Sequence, residues 1–394
     1  MKRIIGLMLA VILVVSLAAC GSNNIKIGVV LPDASEERWA NQDGAFFIEE
    51  LDALGAGYEY EILFSDGDEA KEVQNVEALI ARGAEVIILT SQGSGAGAVQ
   101  ACKDAGVTLI AHDRMAKKDA ANTADYYTTF NSWNVGIAMG NHLVTQAEAN
   151  GCTALAPCDL ALFAGRVADW PNATYFFGGA MEKITPKLDI FTIVNVTDTF
   201  SELTAYTEAT FNDAAKTALQ AAMGPVDTDW NAGTAGTKAA ALVSSLGNVD
   251  KSAQDVYVLA PNDDTSAAIR QQFALMPIPY ENYYTTGQDA SDVTVASLMG
   301  DPVKGLGVQT MTVFKDTSKL VKDSVRIAKN LIDGVAGLTG VTSGPSIDGA
   351  MTGYSPITPL TLANKQLTYD TIFATGFKSE TNTTFSNINF TPYK

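Results

Sequence analysis

Histidine is nearly absent from this chain of 394 residues, with two in all. No pair of its four cysteines stands at zinc-ligand spacing and no H-E-x-x-H run occurs, so neither a catalytic metal nor any cofactor is expected. Basic residues are scarce as well: 26 Lys and Arg stand against 44 Asp and Glu, a net charge of −18. A surface of that sign repels nucleic acid, and no Lys/Arg cluster offsets it locally, which excludes a nucleic-acid partner. No apolar run after residue 20 approaches membrane-spanning length, so the remaining chain is not inserted in a bilayer. The segment Ser91-Gln-Gly-Ser-Gly-Ala-Gly97 has the glycines of a phosphate cradle but lacks the closing Gly-Lys-Ser/Thr, and reads as a tight strand-to-helix turn. Ser/Gly-rich linkers are missing too, which predicts short crossing segments between domains rather than a tether.

What is present begins at the amino terminus. Lys2 and Arg3 precede the apolar run Ile4 to Val15, and Ser16-Leu17-Ala18-Ala19-Cys20 closes it. A charged start, a short apolar stretch and small residues before a break describe a secretion signal over residues 1–20. Leu-Ala-Ala-Cys has the form of a bacterial lipobox, in which the signal is cut before an acylated cysteine. Two or three acyl chains on Cys20 would hold the protein to a membrane surface, where a single chain binds only marginally. An uncleaved anchor, or an ordinary signal with an incidental cysteine, fits the same residues. An extracytoplasmic location removes most enzyme classes, because ATP and NAD are not supplied there. Cys152 and Cys158 sit in a turn-like segment where an oxidising compartment allows a small disulfide loop, two free thiols being the alternative. Cys102 reads as a small buried helix residue.

Hydrophobic content of 47% with 18% charged residues fits a globular chain with a sizeable core, of about two domains. Apolar runs and helical periodicities alternate along it. Strands are expected at 25–31, 58–64, 85–90, 108–111 and 126–130, with helices at 39–54, 69–82 and 97–105 between them. A second series follows, with strands at 159–164, 190–196, 255–260 and 283–286 and helices at 135–148, 172–184, 237–246 and 266–273. Such alternation means βαβ units, an α/β fold of two doubly wound parallel sheets. Residues 199–222 read as one longer helix, and the Gly-, Ser-, Thr- and Pro-rich stretch 340–361 as irregular.

Ligands of open α/β sheets bind beyond the carboxyl ends of the strands. The residues there are Asp33, Arg38 and Trp39; His112, Asp113, Arg114 and Met115; Asp169, Trp170 and Asn172; Trp230; Asn262, Asp263 and Asp264; Gln288 and Asp289; Lys315 and Asp316. Planar polar side chains match hydroxyls that both donate and accept. An indole ring suits the apolar face of a pyranose. Singly, such an Asp is more often a helix cap; their shared placement points to a sugar.

At these residues the chain resembles the periplasmic sugar-binding proteins of ABC transporters, in their xylose-binding and multiple-monosaccharide-binding branch. The segments that carry the resemblance are KIGVVLPDASEERWANQ, LIARGAEVIIL, VTLIAHDRM, YYTTFNSWNVG, DWPNATYFFGGAM, VLAPNDDTSAAI, TTGQDA and QTMTVFKDT. It implies a type I periplasmic-binding-protein fold, two lobes joined by a three-strand hinge with one monosaccharide closed between them. The lobes would comprise residues 24–131 with 289–313, and 132–288 with 314–394. Arg38 and Trp39 would act from the first lobe, the Trp stacking on the ring, while Asp113 and Arg114 hold hydroxyls and the ring oxygen. Asn172, Asp263 and Lys315 would bond further hydroxyls, Asp289 would do so from a crossing, and Trp230 would be a second stacking ring. His112 stands where the family usually has Tyr, and Trp170-Pro171 where it has polar residues. After residue 335 only Ser355-Pro-Ile-Thr-Pro aligns.

The function implied is a monomeric, lipid-anchored receptor that delivers a xylose-, glucose-, galactose- or arabinose-class sugar to an ABC permease, with no bond broken. A sensor presenting its closed form to a chemoreceptor, or a nucleoside- or signalling-sugar-binding lipoprotein, is the alternative. A glycoside hydrolase using Asp263 and Asp289 needs one carboxyl of raised pKa, whereas neighbouring Arg114, Arg38 and Lys315 would keep the carboxylates ionised.

Overall fold

The computed structural model describes residues 25–34, 38–196, 206–300, 309–344 and 346–394; the signal segment and Cys20 lie outside them. The chain forms two compact units. One takes the described residues up to His112, Ala116–Thr128 and Val321–Gly353; the other takes Asp113–Met115 and the described residues of Thr129–Leu320 and Tyr354–Lys394. Apart from the brief excursion at Asp113–Met115, the chain changes unit three times, after Thr128, Leu320 and Gly353.

The first unit is built on a six-stranded sheet in the order Met351–Ser355, Tyr126–Phe130, Thr108–His112, Val86–Leu89, Ile27–Leu31, Tyr60–Phe64, and the last five strands pair in parallel. Ile27–Leu31 and Val86–Leu89 are apolar throughout and wholly buried, as strands covered on both faces must be. Helix Glu69–Ala81 begins where the Asp68 carboxylate accepts from the amides of Ala70 and Lys71, at 2.7 and 3.0 Å.

The second unit carries a four-stranded parallel sheet ordered Asn282–Thr285, Asp255–Leu259, Cys158–Leu162, Phe191–Ile193. Strands Met311–Lys315 and Ile357–Thr361 pair antiparallel beside it. Cys152 and Cys158 form a disulfide at the entry to the Cys158–Leu162 strand. Cys102 is a buried free thiol, pushed up to about 12 by burial and then by Asp125.

Several expectations need correction. Residues 289–313 belong to the second unit, where Met311 and Val313 are buried with Leu160 and Tyr257. Residues 321–353 belong to the first, because Val321, Val325, Ile327 and Ala328 of helix Thr317–Ile332 pack against Ile27, Val29 and Leu31. Asp113 and Arg114 group with the second unit rather than the first. The long helix expected over 199–222 falls partly outside the described residues. Within them a short 3-10 turn covers Glu208–Thr210 and the α-helix starts at Asp213, where the Asn212 side chain caps the Ala215 amide at 3.0 Å. The stretch 340–361 contains two strands, made by distant pairing that local composition does not signal.

Candidate functional site

In the first unit, the residues beyond the sheet's carboxyl edge form a chain of polar contacts. Trp39 is buried, and the guanidinium carbon of Arg38 lies 4.3 Å over its ring. Arg38 Nε donates to Asp43 Oδ2 at 3.2 Å. Asp43 Oδ1 lies 3.0 Å from His112 Nε2, and His112 Nδ1 lies 2.8 Å from Ser324 Oγ. The Ser91–Gly97 turn is not a phosphate cradle. The buried Glu72 carboxylate takes the Gln92 amide at 2.5 Å and faces Ser91 Oγ at 3.5 Å, and Gly93 lies against Glu69. Two carboxylates on that turn repel a phosphate.

In the second unit the site residues fall into two groups. Asn172 opens helix Asn172–Ile184, donates from Nδ2 to the Asp113 carbonyl at 2.7 Å and accepts from Ser132 Oγ at 3.2 Å. Trp230 Nε1 donates to Asp169 Oδ2 at 2.9 Å. The Trp230 ring lies so close over Gly165 that a Cβ there would come within 2.4 Å of it, a close approach that only glycine allows. Asp169 is held above the usual carboxylate range, chiefly by burial and then by Asp113, against the pull of Arg114, the Trp230 donor and Arg166.

In the second group, Lys315 Nζ sits 2.6 Å from Asp289 Oδ1 and 5.6 Å from the Phe130 ring centre. Asp263 is 2% exposed at the start of helix Asp263–Phe273. Its Oδ1 accepts from Gln309 Nε2 at 2.7 Å and Thr312 Oγ1 at 2.8 Å, and its Oδ2 from the Ser291 amide at 2.8 Å. Burial, then Asp289, pushes its carboxyl up to about 7, against those donors. The expectation of fully ionised carboxylates therefore fails at Asp263, because it is buried, its hydrogen-bond donors are neutral and Asp289 repels its charge. A free general acid does not follow. Three donors hold its two oxygens, so a proton taken by the carboxyl is enclosed in this buried network.

Five of the seven non-glycine residues with positive φ among the described residues are Asp113 (63°), Asp229 (58°), Trp230 (56°), Asp289 (93°) and Ala290 (53°). Backbone held in that region costs about 1–3 kcal/mol per residue and gathers where side chains must be aimed. Sequence reasoning set aside Asp169, flagged His112 only as a departure, and missed Asp43, Gln309 and Thr312. The local pattern around each is that of an ordinary helix or strand. Trp170 packs on Phe211 (6.3 Å, 14°) and Tyr175, with Lys216 Nζ 3.4 Å over its ring, so it belongs to an aromatic cluster. Among the described residues no group of three or more His, Cys, Asp or Glu could hold a metal, and no helix is long and apolar enough to cross a membrane.

Residues 27–336 match the family profile described as periplasmic binding protein domain. The multiple sugar-binding periplasmic protein SbpA of Azospirillum brasilense is 28% identical over 322 residues, 79% of this chain and 77% of its own. The D-xylose-binding periplasmic protein of Escherichia coli is 24% identical over 364 residues, 92% and 93%. A carbohydrate transporter solute binding protein from Chloroflexus aurantiacus, crystallised in complex with D-glucose, is 33% identical with a TM-score of 0.77, covering 93% of this chain and 99% of its own.

Proposed function

We propose that this chain, which belongs to the periplasmic binding protein domain family, captures a monosaccharide outside the cytoplasm and delivers it to an ABC permease. The observation that carries this reading is the D-glucose complex of a relative 33% identical over 93% of the chain. The side chains that sequence reasoning picked for a sugar fit that role. Asp113, Arg114, Asn172, Asp263, Asp289 and Lys315 supply the charged and amide groups that bind hydroxyls in pairs. Trp230, its NH anchored on Asp169, offers a ring face for the apolar side of a pyranose. Arg38 and Trp39 contribute from the first unit. Closure of the protein around its bound sugar is what the permease recognises. No bond is broken, the protein acts as a monomer, and acyl chains on Cys20 tether it to the membrane. The same closed form would also serve a sensor.

Thermal melting of the soluble protein, begun after Cys20, against D-glucose, D-xylose, D-galactose and L-arabinose tests this. A micromolar binder at millimolar sugar stabilises by about 4 kcal/mol, a shift of several degrees. A flat response to all four sugars ends the monosaccharide reading in favour of nucleosides or signalling sugars. Arg114→Ala or Asp113→Ala with undiminished affinity would remove those two residues from the site.

A further inference from the structure

Asp43 and His112 have no part in the sugar contacts proposed above, yet both are fully buried on the network that ends at Arg38. Asp43 precedes helix Gly44–Asp52 and makes no cap bond to it. Its two oxygens are divided instead: Oδ2 takes Arg38 Nε, and Oδ1 faces His112 Nε2. A carboxylate only accepts, so His112 Nε2 carries the proton and Nδ1 is left to accept from Ser324 Oγ. Ser324 Oγ in turn lies 2.6 Å from Thr128 Oγ1, completing a run in one direction from Thr128 through Ser324 and His112 to Asp43. The Phe47 ring packs on the imidazole, the ring centres 5.0 Å apart and the planes at 61°.

The anchoring residues are not scattered along the chain. His112 is the last residue before the excursion at Asp113, Thr128 is the last before the chain leaves the unit, and Ser324 stands three residues after it returns at Val321. The guanidinium of Arg38 is thus set twice, on its face by Trp39 and on its Nε edge by a carboxylate secured to the places where the chain crosses.

We propose that Asp43, held by His112, is a positioning residue that fixes the Arg38 guanidinium for the sugar. The proposal rests on the reading of Arg38 as a sugar contact. A long, rotamer-rich side chain fixed before binding loses less freedom when the ligand arrives, and affinity gains by that difference. Asp43 itself touches no sugar.

The test is a double-mutant cycle read by titration calorimetry, using D-glucose, or D-xylose where the sugar panel finds it the tighter binder. Arg38→Ala is expected to weaken binding by about fiftyfold and Asp43→Asn by about tenfold, but Asp43→Asn added to Arg38→Ala should change affinity by less than about twofold. Equal losses in both backgrounds overturn the proposal, because a structural residue costs the same with or without Arg38. Undiminished affinity of Arg38→Ala instead removes Arg38 from the sugar site, and the proposal falls with that reading. His112 supplies the second leg should Asp43→Asn fail to fold. His112→Gln, which keeps a donor for Asp43, should bind within about threefold of the parent, and His112→Leu about tenfold more weakly. Melting of the sugar-free variants separates the two roles: lowered melting with unchanged affinity in His112→Leu also overturns the proposal.

Discussion

Asp43 in the first unit and Asp263 in the second are equally hidden carboxylates with opposite surroundings. Asp43 is 0% and Asp263 2% exposed. Asp43 holds a guanidinium on one oxygen and an imidazole on the other. Asp263 is hydrogen-bonded by an amide side chain, a hydroxyl and a backbone NH, all neutral, with the carboxylate of Asp289 repelling it and the Arg270 guanidinium attracting it from nearby. Burial disfavours the charged form in both places. Only in the first does a cation hydrogen-bond the carboxylate itself. In the second the hydrogen bonds come from neutral dipoles, burial and Asp289 outweigh them, and the Asp263 carboxyl rises to about 7. The same residue type is a firm anchor in one unit and a group poised to take a proton in the other.

The strongest way to break this contrast is Asp263→Ala. It strands Gln309 Nε2, Thr312 Oγ1 and the Ser291 amide in a buried place, and unfolding in urea should show a loss of about 3 kcal/mol. Stability equal to the parent would mean that those donors find other partners. The amide substitutions sharpen the contrast. At pH 8, Asp43→Asn removes charge from a paired site and should cost about 2 kcal/mol. Asp263→Asn loses one acceptor but also the burden of a buried charge, and should change stability by less than about 1 kcal/mol. Equal effects of the two would erase the distinction.

The pH dependence follows with its sign fixed by the direction of the shift. The unfolded Asp263 carboxyl titrates near its ordinary 3.8 and the folded one near 7, so between those values the native state holds a proton that the unfolded state has released. Stability therefore falls as pH rises through that window, by up to about 1.4 kcal/mol per unit, and levels off above it. His142 runs the other way. Burial pushes it down to about 4, so its contribution is full above 6.5 and is lost as pH falls toward 4. The difference between the parent and Asp263→Asn urea profiles isolates the carboxyl, and a flat difference would contradict its shifted titration. Gly165→Ala acts on binding rather than on stability. Its Cβ would push Trp230 off its seat, lowering sugar affinity by about tenfold or ~1.4 kcal/mol while leaving the melting temperature nearly unchanged.

Much of this could be read in advance. IGVVL and VIIL announce buried parallel strands, and the placement of Asp113, Asn172 and Lys315 beyond strand ends marked them as candidates before any coordinates. The resemblance to sugar-binding periplasmic proteins agrees with the family match over residues 27–336. What could not be read is which surface a face packs against. Helix Thr317–Ile332 advertises an apolar stripe, yet the same stripe would suit either sheet, and it covers the first. Strands Met351–Ser355 and Ile357–Thr361 carry Gly, Ser, Thr and Pro and exist because distant edges were waiting for them. Asp43 and Gln309 stayed hidden because a polar residue in a helical or extended pattern reads as solvent-facing.

By itself the sequence determined the class of the protein: two α/β units, an acidic composition, and a set of polar and aromatic candidates at strand ends. These properties are carried by periodicity, composition and short motifs, which are local. Tertiary structure alone decided which unit owns residues 289–313 and 321–353, and which carboxylate is hydrogen-bonded by a cation and which by neutral donors. Those outcomes depend on burial and on neighbours far away in the chain: Ser324 lies 212 positions from His112, and Thr312 49 from Asp263. The free energy of a charge is set by what surrounds it in space.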